Sequence, residues 1–216
     1  FVPIKYPENR NPNVLGGFAS DLMYEKIMND FQWGGMDDVS GSGVYMDENN
    51  RRMSDNLRLQ FSNLAEQLIE ESKNKKALNV LDKVIEITPE KNLPYDRIML
   101  PLSTSDTLKT GAAINSDLSA EDRARAKELA DQVGERLFSI FEDETDYYLS
   151  LDPEYYNEMV GEVGLMKQIN ERIQQVLSFY HPEDPRVKEW KDRLKTMSKK
   201  IEAKEKGVTV LDDVEF

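Results

Sequence analysis

The chain contains no cysteine and a single histidine, His181. The first absence excludes a disulfide framework, a thiolate nucleophile and a thiolate zinc site; the second excludes a histidine-based triad and a two-histidine metal centre. Long apolar runs are missing too. No stretch approaches the ~18 residues that a bilayer-spanning helix requires, and no basic-then-apolar leader opens the chain. Basic residues are outnumbered, 28 against 41 acidic, and the resulting net charge of -13 repels phosphate backbones and anionic headgroups, so no nucleic-acid partner is expected. The glycines at 34, 35, 41 and 43 lack the G-x-G-x-x-G spacing and any following Lys-Ser/Thr, so no nucleotide or other cofactor is expected.

What the chain does have is periodicity. Its apolar residues recur in helical stripes, and 216 residues are enough to bury roughly 70% of the unfolded surface, so a folded, all-α protein is expected. Residues 1–20, with Pro3, Pro7, Pro12, Gly16 and Gly17, read as an extended arm. Asp21 reads as the N-cap of a short helix carrying Leu22, Met23, Ile27, Met28 and Phe31, ended by Gly34-Gly35. A loop follows from Met36 to Asn50. After Ser54 come two helices separated by a Lys73–Lys76 turn, and the second stops before Pro89.

Tyr95, Ile98, Met99 and Leu102 begin another helix that Pro101 interrupts, and 103–118 read as a polar loop. Ser119 then caps a long helix to about Leu149. Asp152-Pro153 and Asp184-Pro185 read as start signals for two more, separated at His181-Pro182. The last carries Val187, Trp190, Leu194, Met197 and Ile201 in alternating steps of three and four, a lengthwise packing seam. The expected organisation is an arm, short helix and loop over 1–50 and a helical domain over 51–216.

The hairpin at 54–89 has an internal pattern. Tetratricopeptide units place large residues in the groove between two helices and small ones where the backbones cross. Phe61, Leu64, Ala65 and Leu68 fill the first half of that pattern, and Ala77, Leu81 and Pro89 fall at the offsets of the second. A second copy is split, with Tyr95, Ile98, Met99 and Leu102 in its first half and Ala126, Ala130 and Val133 in its second. The expected fold is therefore an α-α superhelix of tetratricopeptide-like hairpins with flanking long helices.

No catalytic constellation emerges. Acidic pairs such as Asp37-Asp38, Asp47-Glu48, Glu142-Asp143-Glu144 and Asp212-Asp213 are what solvated helix faces produce in a chain this acidic, although an acid–base hydrolase also works with two carboxylates. Tyr45–Arg52 is denser in polar side chains than a plain loop requires. It suits a cation, a sugar hydroxyl or a cap for the next helix, but lacks the alternating ligands and central glycine of a calcium loop. Trp33, Tyr45, Asp47, Glu48, Asn49 and Tyr95 form the candidate interaction surface. Tyr147, Tyr148, Tyr155 and Tyr156 read as packing around the Leu151-Asp152-Pro153 corner.

Several segments together carry a family resemblance: Asp21–Met28 with Phe31-Gln32-Trp33-Gly34-Gly35, Gly43–Asn49, Val80–Lys83 through Pro89–Asp96, and Asp146–Leu151. They resemble the C-terminal soluble region of a family of bacterial polytopic membrane proteins related to protein O-mannosyltransferase-type glycosyltransferases. The resemblance spans most of residues 20–155. It implies a tetratricopeptide-like tail on the periplasmic face of the inner membrane, following a multi-span half that holds the transferase site. It also implies that this fragment has no catalytic residue of its own and that its partner is a protein or peptide, including the membrane portion of the same chain; the residues themselves give no metal site to expect. A start at Phe1 rather than Met fits an excised tail. The alternative expectations are a free-standing adaptor that binds peptides and, more remotely, an acid–base glycoside hydrolase.

Overall fold

The computed structural model describes residues 4–5, 17–38, 40, 45–95, 118–152 and 155–206, the side chains of 4–5, 17–18 and 156–159 excepted. The protein is all-α, with one small accessory ribbon: Ile4–Lys5 (β1) pairs antiparallel with Gly17–Phe18 (β2). The helices are α1 (Ser20–Glu25), α2 (Glu48–Glu70), α3 (Asn74–Ile87), α4 (Ala120–Ser150), α5 (Tyr156–Tyr180) and α6 (Arg186–Glu205). A single π-helical turn, Lys26–Asp30, continues α1. The chain divides into two compact units, residues 1–130 and 131–216, the boundary falling at a residue of α4.

In the first unit, α2 and α3 lie against each other as an antiparallel hairpin. Phe61, Leu64, Ala65 and Leu68 of α2 are fully buried with Ala77, Val80, Leu81, Val84 and Ile87 of α3. Met23 and Ile27 enter the same core from α1 and its π turn, as do Ala126, Leu129 and Ala130 from the start of α4. Each helix thus buries the stripe that its three-and-four spacing prepares, and its charged face stays in water.

The local boundaries differ from the sequence expectation in four places, each for an identifiable reason. Asp21 is not an N-cap: it lies inside α1, where its carboxylate meets Lys73 at 2.6 Å and Lys76 at 2.8 Å. The helix that was expected after Ser54 starts six residues earlier, at Glu48, because Asp47 caps it by accepting the Asn50 backbone N–H at 2.8 Å. Residues 48–53 face solvent, and their lack of an apolar stripe hid the extra turns. The α2–α3 connection is Glu71-Ser72-Lys73 rather than Lys73–Lys76. Ser72 adopts φ 59°, a left-handed conformation that closes the turn after α2 without glycine. Finally, α5 begins at Tyr156 rather than at Asp152-Pro153, with the Tyr155 N–H donating to the Asp152 carbonyl at 3.0 Å.

Ser119 caps α4 as expected, accepting the Asp122 N–H at 3.0 Å. The expectations at Ile98–Leu102, in the loop to 117 and for the second copy's first half beyond Tyr95 lie outside the described residues.

The second unit is built from the remainder of α4 with α5 and α6. Val163, Met166, Ile169, Ile173 and Leu177 bury the inner stripe of α5, and Trp190, Leu194 and Met197 that of α6. The Trp190 ring stacks on Phe138 at 4.8 Å between centroids and 26° between planes, and its indole N–H donates to Glu135 at 2.9 Å. Arg193 forks onto Glu142 through two 2.8 Å bonds, reaches Glu135 at 2.7 Å and covers the Phe138 ring. These carboxylates raise its already high pKa further. Lys204 closes the C-terminal end of α4 by donating to the Leu149 and Leu151 carbonyls at 2.5 and 2.9 Å.

Candidate functional site

The densest polar arrangement in the first unit surrounds the N-terminal half of α2. Ser54, Arg58 and Phe61 follow one another at steps of four and three, so they share a helix face. Ser54 and Phe61 meet the segment that follows α1, and Arg58 meets the segment that follows α3. The Ser54 hydroxyl sits 3.7 Å from the Met36 sulfur and 3.8 Å from that of Met46. Phe61 packs against Trp33, with ring centroids 5.5 Å apart, and Trp33 in turn meets Phe31 edge-on at 5.8 Å.

Arg58 occupies the middle of this face and is only 3% exposed. Its guanidinium donates to the Thr88 hydroxyl at 3.0 Å and to the Thr88, Leu93 and Pro94 carbonyls at 2.8, 2.5 and 3.2 Å. The Thr88 hydroxyl in turn donates a hydrogen bond to the Val84 carbonyl at 2.5 Å. A buried cation is tolerated where its N–H donors are satisfied, and Arg58 satisfies them on the C-cap carbonyl of α3 and on two carbonyls of the segment that follows. Asp55 adds an ion pair at 3.8 Å, and the Tyr95 ring lies 5.0 Å beneath the guanidinium carbon. Burial of Tyr95 raises its phenol pKa above the ordinary value, with Arg58 opposing the shift.

Asn92 joins the two loops by donating to the Met36 and Asp38 carbonyls, both at 2.8 Å. The Asp38 carboxylate is held below its usual range by the Ser40 hydroxyl and backbone N–H. The segments 33–38, 45–47 and 88–95 are therefore fastened around one end of the hairpin.

Of the six residues of the candidate interaction surface, Trp33, Tyr45, Asp47 and Tyr95 lie on these segments and Glu48 and Asn49 on the first turn of α2, and they divide. Trp33 and Tyr95 are half-buried, turned toward Phe61 and Arg58. Tyr45, Asp47, Glu48 and Asn49 are exposed at the start of α2, Tyr45 at 87%, and Asp47 is occupied as the cap. Arg58, the centre of the arrangement, was not singled out from the sequence. The available signal was its position one turn from both Ser54 and Phe61, on the stripe that continues through Ala65 and Leu68. An arginine on a buried stripe requires acceptors, and the Thr88–Pro94 segment supplies them.

The six named core residues of the repeat pattern, Phe61, Leu64, Ala65, Leu68, Ala77 and Leu81, are all buried, and Pro89 follows the end of α3 at half-burial. Among the other sequence candidates, Tyr148 is buried while Tyr147 and Tyr155 are exposed. His181 stands at the end of α5, its backbone N–H on the Leu177 carbonyl. Glu142 is taken up by Arg193, and Asp212-Asp213 lie outside the described residues. Among the described residues no group of three or more acidic or histidine side chains is disposed to hold a metal ion, and no helix is long and apolar enough to cross a membrane.

Comparison with family models, with curated proteins and with solved structures returns no match.

Proposed function

We propose that this chain is a non-catalytic interaction or scaffolding domain, the tetratricopeptide-like tail of a membrane-embedded glycosyltransferase, lying on the periplasmic face of the inner membrane. The observation that carries the repeat reading is the α2–α3 hairpin: all the large and small positions of the unit, Phe61 to Leu81, sit in its seam. Alanines at 65 and 77 allow close approach of the backbones, and Phe61, Leu64, Leu68 and Leu81 fill the space on either side. The chemistry at the loop end favours binding over catalysis. Its buried charge among the described residues, Arg58, is spent on backbone carbonyls, whereas a catalytic or substrate-binding guanidinium keeps donors free for a ligand. The exposed Tyr45, Glu48 and Asn49 beside it suit a protein or peptide partner, including the membrane portion of the same polypeptide.

The decisive experiment is to read the open reading frame upstream of Phe1. About ten apolar spans are expected there. A start codon a few residues upstream would overturn the tail reading and leave the free-standing peptide-binding adaptor in its place.

A further inference from the structure

The mean charge of the chain conceals a local reversal. Between Arg186 and Lys206 stand nine basic and four acidic residues, a net positive helix in a protein whose total is -13. The basic residues of α6 divide by face. Arg186, Arg193, Lys200 and Lys204 turn toward the rest of the second unit and are engaged by Asp131 and Asp184, by Glu135 and Glu142, by Asp146, and by the end of α4. Lys188, Lys191, Lys195 and Lys199 are exposed, and none of the four pairs with a carboxylate of a described residue. Their spacing of three, four and four residues places them in one row about 16 Å long on the outward face of the helix. Asp192 borders the row, and Glu189 is drawn toward Arg193 at 3.7 Å.

We propose that this lysine row is a docking surface for an anionic bilayer, held at the headgroup level without insertion. Three features favour a lipid surface over an acidic protein. The large apolar residues of α6, Trp190, Leu194 and Met197, are buried on the opposite face, so the row offers no aromatic or aliphatic anchor of the kind that dominates protein interfaces. Its charges are lysines, compact point charges on flexible stems, rather than the planar forks that read carboxylates in fixed geometry. A straight row of such charges also matches a flat array of headgroups that can diffuse to each lysine in turn. The remaining negative charge of the molecule opposes approach, but repulsion is screened beyond a Debye length of about 10 Å at 0.1 M salt. The inference is independent of the tail reading above, because it concerns this chain and a bilayer alone.

The test is co-sedimentation of the full 216-residue chain with vesicles of phosphatidylcholine alone and of phosphatidylcholine with phosphatidylglycerol at 3:1, in about 0.1 M NaCl. Binding is expected only to the anionic vesicles, with loss in 0.5 M NaCl. Each lysine near the surface is worth roughly a fivefold factor in partitioning, so Lys191→Gln with Lys195→Gln is expected to weaken binding about 25-fold. Arg51→Gln with Arg52→Gln removes the same charge from exposed positions on α2 and is expected to leave binding within about twofold. Circular dichroism checks that both variants keep their helices. The proposal is overturned by no binding to anionic vesicles, by equal binding to neutral ones, or by an equal loss in the Arg51/Arg52 variant. It is also overturned if a short DNA duplex or an acidic polypeptide binds as tightly as the anionic vesicles.

Discussion

Each compact unit is organised by an arginine, and the two are used in opposite ways. In the first, Arg58 is buried and donates chiefly to three backbone carbonyls and a threonine hydroxyl, with the Asp55 carboxylate farther off at 3.8 Å. In the second, Arg193 keeps 18% of its side chain in solvent and binds carboxylates. An arginine among carbonyls fastens a loop whose backbone has no helix or sheet to satisfy it. An arginine among carboxylates ties two helices that are already complete. The first therefore stabilises what otherwise has no structure of its own, and the second supplements packing that Trp190 and Phe138 already provide.

Two tryptophans make this comparison measurable, since Trp33 lies in the first unit and Trp190 in the second. Trp33→Phe and Trp190→Phe backgrounds leave one fluorescent reporter each. The largest effect is expected from Arg58→Ala, which strands the Thr88, Leu93 and Pro94 carbonyls and should cost about 3–5 kcal/mol in urea unfolding followed at Trp33. Arg193→Ala, followed at Trp190, should cost about 1 kcal/mol, the scale of a well-formed surface pair. Equal losses in the two variants would break the distinction between them.

Next in size is a gain. Thr145 is fully buried on α4, and its hydroxyl has no hydrogen-bond partner among the described residues. Thr145→Val keeps the shape and removes the unpaired group, so the second unit should be stabilised by about 1 kcal/mol, read from the urea midpoint at Trp190. A loss of that size would mean that the hydroxyl is satisfied in solution. Asp47→Ala removes the N-cap of α2 and should cost the first unit about 1 kcal/mol, with the Trp190 transition unmoved.

The smallest effect is a pH dependence. Hydrogen bonds from Lys73 and Lys76 lower the Asp21 pKa from 3.8 to about 2. A carboxylate whose folded pKa is depressed contributes stability that is present above its unfolded pKa and lost as pH falls through the folded one. The contribution should therefore be full above about pH 4 and gone near pH 2. Asp21 is solvent-exposed, so the contribution is small, and Asp21→Asn should flatten the acid limb of the first unit's stability curve within that window while leaving its neutral-pH slope unchanged. An unchanged acid limb would remove Asp21 from the account.

Apolar periodicity made the cores of α2 to α6 legible in the sequence, because a stripe that must be buried has to recur at three and four whatever it packs on. Phe61, Leu64, Ala65 and Leu68 were identified in that way, and all four are buried. What escaped was polar. Residues 48–53 form two turns of helix with no buried stripe, so only the cap at Asp47 announced them. Arg58 carries its meaning in acceptors 30 to 36 residues away, which no local window contains. The lysine row of α6 disappeared into a chain-wide charge average that signalled repulsion of every anion.

Arg58 also bears on the order in which the first unit assembles. Its acceptors at Thr88, Leu93 and Pro94 are brought to it only after α3 has folded back along α2, so the guanidinium completes a loop that the apolar seam must first close. Contacts made after the rate-limiting step act on the unfolding rate rather than the folding rate. In a chevron of Arg58→Ala the unfolding arm should rise while the folding arm stays in place. The residue would then set how long the finished hairpin lasts rather than how soon it forms.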